Sequence, residues 1–195
     1  MIALLDYGAG NTRSVGHALD RLGAAWTLTH DPAVLDRAEK VILPGVGAAG
    51  SAMRALAARG LVDWLRANRK PLLGVCLGLQ LLYERTEEDD AEGLGLLPGT
   101  VRRLPEGAEP TPHMGWNTLR LTAPGALLAD ADDGAHVYFA HSFAAPVGPE
   151  TQATCAYAGV TFGAVVEQGA IYATQFHPEK SAAVGAGVLR RFLAL

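Results

Sequence analysis

Leu72-Leu73-Gly74-Val75-Cys76-Leu77-Gly78-Leu79-Gln80 decides how this 195-residue chain is read. Leu72–Val75 has the look of a buried strand, and a helical pattern follows over residues 79–85, so Cys76 stands on a tight strand-to-helix turn. Such a turn holds its central residue in a strained backbone, and glycines on either side remove side chains that would clash. The turn also sets Cys76 at a helix N-terminus, where free N–H groups and the helix dipole favour a thiolate. The thiolate is the nucleophilic form, so the position itself activates the residue. A core cysteine is the competing reading of the pentapeptide, and the paired glycines favour the nucleophile. Cys155, in Ala153-Thr154-Cys155-Ala156-Tyr157, has no such setting and reads as core.

Upstream, short apolar runs alternate with helix-like segments. Strands are expected at Ile2–Leu5, 25–28 and 41–43, and helices at 12–22, 49–59 and Leu61–Ala67, the last stopped near Pro71. This alternation predicts βαβ units, a mainly parallel sheet and right-handed crossovers. From Gly99 onward the chain favours strands and turns, with strands expected over 100–104, 118–121, 136–143, 152–157, 164–167 and 171–175. Gln168-Gly169 reads as a hairpin turn. A closing helix is expected over 181–193, with Ser181 at its N-cap and no capping box behind it. The expectation is one α/β domain over residues 1–195 whose parallel sheet gains antiparallel strands late.

Bulk properties narrow the function. Hydrophobic residues make up 49% and charged residues 18%, which suits a sizeable core and not a disordered chain. A net charge of −4 without a basic cluster argues against nucleic-acid binding. The run Glu87-Glu88-Asp89-Asp90 reads as a solvated loop rather than a metal site. Two cysteines point to a reducing compartment, the cytoplasm. Met1-Ile2-Ala3-Leu4-Leu5-Asp6 lacks a basic leader, and no apolar run is long enough to span a bilayer.

A nucleophilic cysteine needs a base, and the candidates are His17, His30, His113, His136, His141 and His177. His177 stands out in Gln175-Phe176-His177-Pro178-Glu179-Lys180-Ser181. Pro178 keeps this piece extended, and in extended chain residues two apart point the same way. Glu179 can therefore orient the His177 imidazole, the third role of a triad. A surface ion pair is the plainer reading of a His-x-Glu pair, and no third ligand is spaced for zinc. Leu43-Pro44-Gly45-Val46-Gly47 follows a strand, and its glycine-rich turn, together with the Leu77 amide, could form an oxyanion hole. Asp6-Tyr7-Gly8-Ala9-Gly10-Asn11 lacks the spacing of a dinucleotide fingerprint and the lysine of a P-loop.

Pro44-Gly45-Val46-Gly47, Gly74-Val75-Cys76-Leu77-Gly78-Leu79-Gln80 and Phe176-His177-Pro178-Glu179 together resemble the class I (triad) glutamine amidotransferases, in the family's order and across nearly the whole chain. The stretch Asp6–Asn11, with His113-Met114-Gly115-Trp116-Asn117 and Tyr138-Phe139-Ala140-His141-Ser142-Phe143, is similar to the branch that serves imidazole glycerol phosphate synthase in histidine biosynthesis. Glutaminases of the anthranilate, guanylate and pyridoxal phosphate pathways share the cysteine and histidine motifs but not normally the His-Met-Gly-Trp-Asn segment.

The resemblance implies a flavodoxin-like sheet and no cofactor. It also implies a heterodimer with a cyclase subunit of (β/α)8-barrel form, through which ammonia from L-glutamine would pass. It assigns Cys76 as nucleophile, His177 as acid–base and Glu179 as its orienting partner, with Gly45, Val46, Gly47 and Leu77 at the oxyanion. Gln80, Glu88 and the segment His141-Ser142-Phe143 correspond to substrate contacts, Glu88 to the α-ammonium group. Phe143 stands where a tyrosine is frequent. Trp116, Tyr138, Lys180 and Asn11 correspond to residues facing the cyclase, although core packing is the ordinary fate of strand aromatics. A stand-alone cysteine peptidase usually has histidine directly after its nucleophile, and here Leu77 follows. A binding protein that lost catalysis would not be expected to keep all three triad residue types. Another pathway's glutaminase is the remaining alternative.

Overall fold

Strand and helix take turns through the first half of the chain. β1 (Ile2–Leu5) leads to α1 (Thr12–Arg21), β2 (Trp26–Thr29), α2 (Pro32–Arg37), β3 (Lys40–Leu43), α3 (Ala49–Ala58), α4 (Leu61–Ala67), β4 (Leu72–Val75) and α5 (Leu77–Leu81). The second half is mostly strand: β5 (Tyr83–Thr86), β6 (Ala91–Glu92), β7 (Leu97–Arg103), β8 (His113–Thr118), β9 (Arg120–Leu121), β10 (His136–His141), β11 (Phe143–Ala144), β12 (Thr151–Tyr157), β13 (Val160–Gln168) and β14 (Ile171–Thr174). Helix α6 (Ala182–Ala194) closes the chain. The computed structural model describes residues 1–107 and 109–195.

The main sheet has eight strands in the order β2-β1-β3-β4-β14-β13-β12-β9. Its first five strands are parallel, and β13, β12 and β9 extend it antiparallel, as the change of character after Gly99 predicts. Alternation along the parallel strands sends side chains to two cores. Ile2, Leu4, Ile42 and Leu73 join one cluster with residues of α1 and α6, while Ala3, Leu5, Val41, Leu43 and Leu72 join another with residues of α3, α4 and α5. A sheet covered on both faces needs such uninterrupted apolar strands. Two smaller sheets stand apart, a β10-β8 ribbon and a four-stranded β11-β7-β5-β6 sheet.

Helix starts follow local chemistry. Asn11 accepts the Ser14 N–H at 3.4 Å to cap α1, and Asp31 accepts the Ala33 N–H at 2.9 Å to cap α2, with Pro32 in the first turn. Helix α2 has no counterpart among the expected elements, and other elements differ from expectation too. The helix expected over 79–85 is α5, which begins at Leu77 and ends at Leu81, and the chain then turns into β5. Leu81-Leu82-Tyr83-Glu84-Arg85 looks helical in isolation, but tertiary pairing overrides propensity: Tyr83 is buried, and β5 runs parallel to β7. The strand expected over 118–121 is two strands, with β8 starting back at His113 and β9 joining the main sheet. The strand expected over 136–143 breaks at Ser142, because β10 pairs with β8 and β11 with β7.

Ser181 does occupy the N-cap of α6, but its hydroxyl caps nothing. It donates to the His177 carbonyl at 2.7 Å and accepts the Tyr138 N–H at 3.0 Å, tying the ribbon to the last turn before α6. Among the described residues, no helix is long and apolar enough to cross a membrane.

Candidate active site

Parallel neighbours β4 and β14 set the site. Ala173 pairs with Gly74 and Thr174 with Val75, so the segments leaving both strands emerge at the same edge of the sheet. Cys76 directly succeeds β4, and its N–H donates to the Thr174 carbonyl at 2.8 Å; Gln175, Phe176 and His177 succeed β14. This is where ligands gather in open parallel sheets, beyond the carboxyl ends of the strands.

Cys76 has φ +54° and ψ −109°, a conformation that costs a non-glycine residue about 1–3 kcal/mol and marks a nucleophile elbow. The flanking glycines are needed for closeness. A Cβ on Gly74 would lie 2.9 Å from the Gly78 carbonyl, and one on Gly78 would collide with the Leu43 carbonyl. The Leu77 N–H opens α5 and has no intrahelical acceptor. The Cys76 sulfur lies 3.8 Å from the Ala140 carbonyl and 3.8 Å from the Gln175 side-chain nitrogen.

His177 and Glu179 form a nearly dry pair. The Nδ1 of His177 donates to Glu179 Oε1 at 2.9 Å, with side-chain exposures of 4% and 1%. A carboxylate only accepts, so Nδ1 carries the proton and Nε2 is left for the sulfur. Burial opposes charge on the imidazole, but the Cys76 sulfur and the Glu179 carboxylate outweigh it and raise its pKa to about 10.

Cys76 and His177 open on a cavity of about 330 Å³. Val46, Gly47 and Leu77 of the expected oxyanion set line it, as do Gln80, Glu88, His141, Ser142, Phe143 and Lys180. Gly45 sits behind the wall, packed on Leu77 and Gly78. The carboxylate of Glu88 accepts the Ala49 N–H at 2.8 Å, at the start of α3, and burial raises its pKa. The acidic run is thus not wholly a solvated loop. Gln80 is buried, and its Nε2 donates to the Phe143 carbonyl at 2.7 Å and reaches Gln175 Oε1 at 3.3 Å.

Trp116, Tyr138 and Lys180 adjoin one another on the β8-β10 ribbon and the turn beside it. Trp116 is 53% exposed and meets Tyr138 edge-to-face at 6.1 Å, and the Lys180 ammonium lies 5.5 Å from the Tyr138 ring centre. An exposure that high sets Trp116 outside the core. Asn11 is spent on capping α1.

Sequence reasoning missed two groups. The buried Tyr7 hydroxyl donates to the Pro44 carbonyl at 2.7 Å and pins the Pro-Gly-Val-Gly turn, a use for the Asp6–Asn11 stretch that a phosphate loop would not suggest. Gln175 reaches both Cys76 and Gln80, and a polar residue closing the strand expected over 171–175 was the available signal.

Known proteins resemble this chain along its whole length. The protein called imidazole glycerol phosphate synthase subunit HisH in Xanthomonas axonopodis pv. citri (strain 306) is 51% identical over 195 residues, covering 100% of this chain and 97% of its own length. The one of that name in Xylella fastidiosa (strain Temecula1 / ATCC 700964) is 48% identical with the same coverage. A crystal structure of a glutamine amidotransferase superposes with TM-score 0.75 at 21% identity, covering 99% of this chain and 97% of that one. The model of the family "Glutamine amidotransferase class-I" matches residues 3–194, and the chain belongs to that family.

Proposed function

We propose that this chain is the glutaminase of an imidazole glycerol phosphate synthase, releasing ammonia from L-glutamine for a cyclase subunit of (β/α)8-barrel form in the cytoplasm. The observation that carries the chemistry is the meeting of Cys76, His177 and Gln80 at one cavity, with the dry Glu179 carboxylate bound to the imidazole. The pathway rests on full-length relatives of that name.

In the mechanism we infer, the thiol proton passes to His177 Nε2, and the Cys76 thiolate attacks the side-chain amide carbon of glutamine. Charge develops on the carbonyl oxygen, and the Leu77 N–H with the Val46–Gly47 turn stabilises it there. His177, now holding the thiol proton, gives it to the departing nitrogen, and ammonia leaves with a γ-glutamyl thioester on Cys76. Neutral His177 then takes a proton from water, whose oxygen attacks the thioester; glutamate and the free cysteine result. Glu179 keeps Nδ1 protonated throughout and offsets the imidazolium charge. Glu88 receives the α-ammonium of glutamine and the Ser142–Phe143 backbone its α-carboxylate. Ammonia would then leave beside Trp116, Tyr138 and Lys180, the patch we assign to the cyclase.

The test is glutamate release by the purified chain, alone and then with a barrel-type cyclase and its nucleotide ligand. Strong activation by the cyclase is expected, and hydrolysis indifferent to it would move the chain to another branch of the family. Cys76→Ala should abolish glutamine-dependent synthesis by the complex and spare synthesis from an ammonium salt. Loss of both would refute the separation of roles.

A further inference from the structure

The inner face of the β8-β10 ribbon carries two histidines that the mechanism does not use as acids or bases. His113 and His141 are directly opposed in the ribbon register, both buried, with His113 Nδ1 3.1 Å from His141 Nε2. His141 Nδ1 lies 2.8 Å from the Phe143 carbonyl, and the Asn117 amide nitrogen lies 3.3 Å from His113 Nε2. The His113 ring is clamped by stacking on Tyr157 at 3.8 Å and on Phe139 at 4.7 Å between centroids.

Each proton along this relay has a forced position. The Phe143 carbonyl can only accept, so His141 Nδ1 bears hydrogen. Burial, with opposing and reinforcing contributions from the Phe143 carbonyl and from His113 and His177, lowers the His141 pKa to about 3; burial lowers that of His113 to about 4, against the pull of Glu109. Both rings are neutral near pH 7, so His141 Nε2 is bare and accepts from His113 Nδ1–H. His113 Nε2 is bare in turn and accepts from Asn117, whose side-chain oxygen is independently fixed as the acceptor of the Thr118 N–H at 2.7 Å. All donors therefore point one way, from Asn117 through His113 and His141 to the Phe143 carbonyl. That carbonyl also accepts Gln80 Nε2 at 2.7 Å, which fills both of its lone pairs.

We propose that His113 is a positioning residue for the glutamine site, acting through His141 to fix the Phe143 carbonyl and, with it, the Ser142–Phe143 wall and the Gln80 amide. The inference rests on the glutaminase reading above. His113 touches no substrate. Its work is to hold one tautomer of His141, because the other tautomer would set a bare nitrogen against the Phe143 oxygen and release the segment. The outer face of the same ribbon bears Met114 and Trp116, so the element facing the assigned partner patch and the element fixing the substrate wall are one and the same.

The test compares wild type, His113→Phe and His113→Asn in complex with the cyclase. Phenylalanine keeps the stacked shape and removes both ring nitrogens, whereas asparagine keeps a donor at the Nδ1 position. His113→Phe should raise the KM for glutamine about tenfold, the scale of one buried hydrogen bond left unmade, with kcat held within about twofold. His113→Asn should recover part of that loss. An unchanged KM in a folded His113→Phe complex would overturn the proposal. Imidazole nitrogen shifts of the wild-type chain at neutral pH provide a readout independent of turnover and of any variant's folding. His141 protonated on Nδ1 is expected, and protonation on Nε2 would overturn the proposal. If wild type itself releases no glutamate with the cyclase, the glutaminase reading fails, while the nitrogen shifts still judge the relay.

Discussion

A Cβ placed on Gly45 would lie 2.6 Å from the backbone nitrogen of Gly78, so the turn we propose for the oxyanion and the turn around Cys76 touch through two glycines. Contact this close leaves no freedom to one partner without the other. Gly45→Ala must push the turn away from Leu77, and a shift on the order of 1 Å at a reacting centre costs about 100-fold in rate. We expect that loss in kcat/KM with the cyclase bound, accompanied by about 1–3 kcal/mol of destabilisation from overpacking. Steady-state kinetics beside urea unfolding would read both. A variant with full activity would refute the placement of the oxyanion turn.

Tyr7→Phe removes a single hydroxyl from the same turn. The Pro44 carbonyl loses its buried donor, for a stability cost of about 1 kcal/mol. If Tyr7 pins the turn for catalysis, kcat falls about tenfold while KM for glutamine stays near wild type. Equal stability loss with kcat intact would reduce Tyr7 to packing.

Titration of His177 gives stability a pH dependence with a definite sign. The folded chain holds this proton up to about pH 10, against an ordinary value of 6.5. Below 6.5 both folded and unfolded chains carry it, and its stabilisation is fully present. Between 6.5 and about 10 only the folded chain binds it, so unfolding free energy should fall as pH rises through that window. His177→Ala should flatten the slope in a series of urea melts. His113 and His141 act in the opposite sense: depressed to about 4 and about 3, they make stability fall as pH drops below 6.5 toward those values. A melt series flat on both sides of neutrality would contradict both assignments.

Trp116 and Tyr138 separate an interface from a core. Trp116→Ala should cost about 0.5 kcal/mol of stability, as surface substitutions do, because half of its surface is already in water. Against the cyclase the same change, and Tyr138→Ala, should each cost about 2 kcal/mol of association, the scale of a buried aromatic anchor. Calorimetric titration and thermal melts on the same samples would decide. Severe unfolding with unchanged affinity would return both residues to the core.

Much of this was legible from residue order because it depends on neighbours in sequence. The elbow around Cys76 and the His177–Glu179 pair follow from glycine spacing and from a proline that holds the chain extended. The parallel half of the sheet follows from apolar runs at regular intervals. The features that escaped depend on pairing at a distance. Tyr83–Thr86 became a strand because β7 runs beside it, and Ser181 spends its hydroxyl on Tyr138 and His177 rather than on its own helix. The His113–His141 contact joins residues of two ribbon strands whose pairing no local pattern encodes.

The placement of β14 beside β4 has a consequence for synthesis on the ribosome. Ninety-nine positions separate Cys76 from Gln175, the strand extension that leads to His177. At about 5–20 residues per second, Cys76 emerges roughly 5–20 s before His177, the base we propose for it. Through that interval Cys76 has neither the β14 carbonyl that fixes its backbone nor an imidazole to take its proton. The thiol stays disarmed until almost the whole sheet has closed. On the proposed mechanism, glutamine hydrolysis therefore waits until β14 and His177 are in place, and shorter nascent fragments release no ammonia.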